Sequence, residues 1–231
     1  MFDLRRRGKV GRVAMVGTTG RKYAAIRRHF ADNIAAKYAG LDVSFESFPD
    51  DEVERDAQAY VRALETLERG DLVTIFTPDD THYEIAMAAI ARGLHVLVTK
   101  PPVHTLQQHI ELHQAAVAHR VLVAIEVHKR WDPVYRDAWG RVQSGSLGAF
   151  TFFQSYMSQP HFQLDTFRAW AGKSSDISYY LNSHHVDFHC WALQGRARPM
   201  YVYQRLQLRD VVVDVVDAVV VDAAVAVASW R

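Results

Sequence analysis

At 231 residues, with 49% hydrophobic content and a formal net charge of +1, the chain is long enough for one large domain or two small ones and carries no general pull toward nucleic acid or anionic lipid. One cysteine, Cys190, excludes an internal disulfide; with no secretory or transit pattern in view, a reducing compartment, most simply the cytosol, is expected. The basic start (Arg5, Arg6, Arg7, Lys9) reads as a solvated tail.

Residues 12–16 are a short apolar run closed by Gly17, and a helical pattern follows as far as Gly40. Residues 43–48 alternate apolar and polar, and 51–69 read as a helix stopped by Gly70. A buried-type strand at 72–76, a helix at 81–92 stopped by Gly93, a strand at 95–98, a helix at 105–119 and a strand at 121–127 complete the series. Such alternation, at about 25–30 residues per unit, predicts right-handed crossovers and a doubly wound parallel α/β sheet over residues 1–127.

Past residue 128 the alternation stops. A helix at 133–142, a turn at 145–148, an aromatic-rich strand at 149–157, a helix at 183–193 and a strand at 200–208 predict a second, α+β domain over 128–208. A low-complexity tail occupies 209–231, and every residue from 211 to 228 is Val, Asp or Ala. Asp214, Asp217 and Asp222 would each cost about 2.5–3.5 kcal/mol near a membrane centre, which argues against a transmembrane helix.

In doubly wound sheets the ligand lies beyond the carboxyl ends of the strands. The sequence VGTTGRK (16–22) falls at the first such end, where free backbone N–H groups and the helix dipole favour a pyrophosphate. Measured against G-x-G-x-x-G, Gly17 fits the first glycine, while Thr19 and Lys22 stand at the second and third. Gly17, Thr18, Thr19, Gly20, Arg21 and Lys22 are therefore candidate cofactor contacts, with an ordinary strand-to-helix turn as the competing reading. Glu46, Asp50 and Asp51 offer acids for a ribose 2′-OH and Arg21 and Lys22 offer cations for a 2′-phosphate, so NADP and NAD both stay open.

The segment SDISYYLNSHHVDFHCW (175–191) is dense in histidine. At about 100° per residue, Tyr180, His184, Asp187 and Trp191 fall within about 60° of one another on a helix, with His185 and His189 on the opposite side. The histidines and Asp187 cannot then converge on one ion, and no metal is expected. The structural alternative is a core histidine satisfied by Asp187 and packed on Trp191.

Asp71, Val73, Ile75, Thr77, Pro78, His82, Gly93, His95, Val96, Lys100 and Pro101 fall in register with D-x-V-x-I-x-T-P, a following histidine, G-x-H-V and E-K-P. In this the chain resembles the Gfo/Idh/MocA oxidoreductases, with Thr99 in place of the usual glutamate. HKRWDP (128–133) is close to the family's N-x-R-x-x-P, with His128 for Asn. Tyr180, His184, Asp187 and Trp191 match D-x-x-x-H-x-x-D-x-x-x-W, with Tyr for the first Asp. GTTGRK, FTPDDTH and HKRWDP look closest to the D-galacturonate reductase-like members.

The resemblance implies an N-terminal Rossmann domain, NADP or NAD as cofactor with Thr77, Pro78, His82 and Pro101 near it, and Lys100 beside the nicotinamide and the reacting carbon. It implies hydride transfer to or from a sugar or sugar-acid carbonyl or hydroxyl, uronate reduction being one case. Tyr180 would be the acid–base group, its pKa lowered by Lys100; His184 would bind the substrate oxygen or relay its proton, with Asp187 fixing its tautomer. Arg130, Arg168 and Lys173 are candidates to hold sugar hydroxyls or a carboxylate. Family members continue well beyond this point through a sheet that also forms their dimer interface. The second domain is therefore expected to be truncated, with a homodimer if that sheet forms. A catalytically incomplete nucleotide-binding remnant is the competing function, and a histidine-based metal hydrolase a third.

Overall fold

The computed structural model describes residues 1–176 and 178–197, together with the main chain of 203–204, 219–220 and 225–226. Strand β1 (Ala14–Val16) pairs in parallel with β2 (Glu46–Phe48). Strands β3 (Leu72–Ile75), β4 (His95–Thr99) and β5 (Val123–Glu126) form a three-stranded sheet with β4 in the middle, and β4 and β5 run parallel with Thr99 opposite Glu126. The helices between them are α2 (Tyr23–Phe30), α3 (Ala59–Glu65), α4 (His82–Ala91) and α5 (Leu106–His119), preceded by a short α1 (Phe2–Arg6). This is the expected α/β alternation, with the strands sorted into a pair and a triple.

The chain packs as two compact units. The first comprises Met1–Val73, Met87–His95 and His119–Val121; the second comprises Thr74–Ala86, Val96–Ala118 and the chain from Leu122 onward. Tyr23, Ala63, Leu64, Ala89, Ile90 and Leu94 are buried in the first, and Ile75, Val96, Val98, Leu112 and Ala116 in the second. Each fully buried Ile, Leu or Val contributes about 1.5–3 kcal/mol relative to exposure. The second unit also holds α6 (Pro133–Ser144), α7 (Gln163–Trp170) and α8 (Ser183–Ala192). There Val142, Phe188 and Ala192 form a core against Tyr135, Trp139 and Trp191, and the two tryptophan rings stack at 4.9 Å.

Several expectations change. The basic start is a docked turn of helix: the Arg5 guanidinium donates to the Asp42 main-chain oxygen at 2.6 Å, and the Phe2 ring meets Phe30 edge-on at 5.3 Å. The helix foreseen over 51–69 shrinks to α3, because the chain before it is tied to the turn after β1. Gly20 N–H donates to Val53 O at 2.9 Å and Asp56 N–H to Thr18 O at 2.8 Å, while the Asp56 carboxylate accepts from Gln58 N–H and pairs with Arg62. The run 149–157 forms no strand. Its Phe150 and Phe153 pack on His189, and the following β6 (Ser158–Gln159) pairs antiparallel with β8 (Val219–Val220). Of the strand foreseen at 200–208, β7 (Tyr203–Gln204) pairs antiparallel with β9 (Val225–Ala226); the rest, like most of the Val/Asp/Ala tail, lies outside the described residues.

Candidate active site

In the first unit the turn after β1 is held against the loop after β2. Gly17 N–H donates to Phe48 O at 2.9 Å, and the buried Tyr23 hydroxyl donates to the same oxygen at 2.6 Å. A Cβ on Gly20 would stand 1.9 Å from Asp50 O, so only glycine allows this approach. With the turn fixed in this way, the Thr18 and Thr19 amides have no acceptor among the described residues, and no side chain caps α2. Free amides in the turn that leads from β1 to α2 suit the pyrophosphate of a dinucleotide. Beyond β2, Asp51 is bound to Arg27 and to the Ser47 hydroxyl, which hold its carboxyl below the usual range. Arg27 also donates to Ser47 Oγ at 2.9 Å, and Glu46 lies 3.4 Å from Arg12.

In the second unit the loops after β3 and β4 are joined through His82. Its ring is fully buried, with Nδ1 2.8 Å from Pro101 O and Nε2 2.9 Å from Thr77 O. Both ring nitrogens of His82 are thus committed to main-chain oxygens, and the ring joins the Thr77 and Pro101 loops. The segment before α8 is tied onto the same loops. Ser175 Oγ donates to Asp79, and Tyr179 stacks on His104 at 4.9 Å and donates to its main-chain oxygen at 3.1 Å.

This tether sets Tyr180 beside Lys100. Lys100 Nζ donates to the Tyr180 main-chain oxygen and lies 4.2 Å from the centroid of its ring, so the recorded contacts are with the ring face and the carbonyl. The Tyr180 ring, 41% exposed, packs on Phe167 and Trp170, each at 5.2 Å. Burial pushes Lys100 down to about 8, against the pull of Asp79 and Glu126, which favour its charged form.

His184 is 4% exposed, and its Nδ1 is buried with no partner among the described residues. Burial, followed by the charges of Lys100, His128 and Lys129, lowers its pKa to about 3, so it is neutral at any ordinary pH. The His128 ring meets it at 4.6 Å, steeply inclined.

Asp187 does not fix the His184 tautomer. It accepts two hydrogen bonds from Arg130, at 2.8 and 2.6 Å, and the guanidinium lies 5.6 Å from the Trp191 ring centroid. Arg130 and Asp187 thus satisfy each other. The common face foreseen from Tyr180 to Trp191 is broken because Tyr180 lies in a π-helical turn, Ser178–Asn182, ahead of α8. Arg168 pairs with exposed Asp165 on its own helix at 3.1 Å, and Lys173 donates to Ala169 O at 3.1 Å. Among the described residues no three His, Cys, Asp or Glu side chains are grouped to hold a metal, and His189 stacks on Phe150 and Phe153. Sequence reasoning missed Asp79 and Glu126 as charges acting on Lys100; their signal was position, one in the loop after β3 and the other at the end of β5.

Comparison with known proteins places these features in context. Residues 11–127 match the family profile described as "Oxidoreductase family, NAD-binding Rossmann fold". The uncharacterized oxidoreductase YdgJ of Escherichia coli K12 is 36% identical over 118 residues, 51% of this chain and 34% of that protein. The scyllo-inositol 2-dehydrogenase (NADP(+)) IolW of Bacillus subtilis is 30% identical over 146 residues, 61% of this chain and 38% of that one. The match thus spans little more than a third of these relatives. Myo-inositol 2-dehydrogenase from Lactobacillus plantarum shares the fold with a TM-score of 0.59 at 19% identity, over 84% of this chain and 58% of that one.

Proposed function

Because this chain belongs to the Gfo/Idh/MocA oxidoreductase family, with its NAD-binding Rossmann fold, we propose that it catalyses reversible hydride transfer between a nicotinamide cofactor and a carbinol or carbonyl carbon of a polyol or sugar-type substrate. The observation that carries this reading is the partly buried Lys100, its pKa near 8, set against Tyr180 and within electrostatic range of the buried neutral His184. The nicotinamide supplies or accepts the hydride. The Thr18 and Thr19 amides would hold its pyrophosphate.

Lys100, as an ammonium, binds the substrate oxygen as negative charge grows on it in reduction. With a pKa near working pH it can also release that proton, the condition for efficient acid–base exchange. Tyr180 offers a partly exposed ring against it and His184 a neutral imidazole acceptor. Arg130 pairs with Asp187 and Lys129 with Asp132, so a uronate carboxylate would be met by Lys100, whose charge His184 feels. The name of one relative, scyllo-inositol 2-dehydrogenase, supports including inositols among the substrates to be tried.

The test is a screen of NADPH and NADH oxidation with uronic acids, aldoses and inositol ketones, with the reverse reaction on the matching alcohols. Lys100→Met should lower kcat by about 10²–10⁴-fold while leaving NAD(P)H binding, read by its fluorescence, within a few-fold. Cofactor binding without turnover on any of these substrates would favour the nucleotide-binding remnant instead.

A further inference from the structure

A buried neutral imidazole that takes a proton in each turnover needs a route by which to lose it. His184 is sealed in protein, with its Nδ1 unpartnered among the described residues. The ring against it belongs to His128, whose side chain is 55% exposed. One imidazole is thus at the buried end and the other at the solvent end of a pair whose centroids are 4.6 Å apart.

His128 is itself held. Its Nδ1 lies 3.5 Å from Glu126 Oε1, and the other Glu126 oxygen accepts from Thr99 Oγ1 at 3.3 Å. Glu126 is the last residue of β5, in register with Thr99 at the end of β4, so the parallel ladder fixes its backbone. A carboxylate near Nδ1 favours the proton on that nitrogen, the tautomer in which Nε2 is the acceptor.

Resting on the oxidoreductase reading, we propose that His128, oriented by Glu126, carries the reaction's proton between His184 and bulk water. In oxidation the substrate C–H bond breaks, its hydride going to the nicotinamide, and the C=O bond forms as the O–H proton leaves. That proton passes to His184, then to Nε2 of His128, whose ring delivers it to solvent; reduction runs the path backward. Glu126 is a positioning residue, acting only through His128.

His128→Asn tests this, because an amide fills the place beside Glu126 but cannot carry a proton. At low buffer concentration His128→Asn should lose about tenfold or more in kcat with KM nearly unchanged, and added imidazole should restore the rate in a concentration-dependent way. Glu126→Gln should show a smaller loss. Nitrogen-15 spectra of the imidazoles should report the Nδ1–H tautomer of His128 in the native chain and a mixture in Glu126→Gln. A native rate in His128→Asn at every buffer concentration, a loss that imidazole does not repair, or an Nε2–H tautomer in the native chain would each overturn the relay alone. A native chain without NAD(P)-dependent turnover would overturn the oxidoreductase reading and the relay with it.

Discussion

Gly20 illustrates how a single atom decides a site. An added Cβ would collide with the Asp50 carbonyl, which is backbone and cannot swing aside. Gly20→Ala should therefore cost about 1–3 kcal/mol, read by chemical denaturation, and weaken NADH or NADPH binding at least about tenfold, since the displaced turn carries the Thr18 and Thr19 amides. That GTTG sits at the first strand-to-helix turn was legible from strand order alone. The reason for its second glycine was not, because the clash is with a residue thirty positions later in the chain. Lys100 makes a second prediction at this scale. If its ammonium stabilises charge on the substrate oxygen, kcat/KM for reduction should be level below about pH 8 and fall above it. Oxidation should show the opposite limb. Lys100→Arg, which stays charged, should remove the alkaline limb from the pH profile of whatever reductive activity it retains; an unchanged limb would assign it to another group.

At the scale of elements, helices with conventional signals were easiest to read. Helix α6 opens with Asp132, whose Oδ1 accepts from Val134 N–H at 3.0 Å, has proline in its first turn, and ends at Gly145 with φ 73°. Asp132→Ala should cost about 1 kcal/mol in a urea melt, with cofactor affinity unchanged. Elements governed by distant partners were misread. The stretch 51–58 has a helical pattern, but its main chain is committed to the turn at 18–20. The face shared by Tyr180 and Asp187 depended on an unbroken helix, and a π-helical turn resets the phase between them. Asp187 was assigned to His184 on spacing, whereas its partner Arg130 stands 57 residues away in sequence. Fixed angular steps cannot register a neighbour supplied by another element.

For the molecule as a whole, the number of protons bound in the folded and unfolded states sets how stability responds to pH. Burial is the first cause of the lowered pKa of His184, His185 and His189. An unfolded imidazole takes its proton near pH 6.5, while folded His184 stays neutral down to about pH 3. Between those values the unfolded chain holds more protons. Stability from these groups is therefore complete above about pH 6.5 and drains away as pH falls through that window. Asp51, Asp56 and Asp132, held below their ordinary range by partners, change stability in the same direction but only under about pH 4. The interval from pH 4.5 to 6.5 thus isolates the histidines. Urea midpoints measured across it should decline steadily with acid in the native chain and less steeply in His184→Gln, whose side chain does not titrate. Parallel slopes would mean that the folded imidazole takes its proton as the unfolded one does, and that burial does not hold His184 neutral across this range.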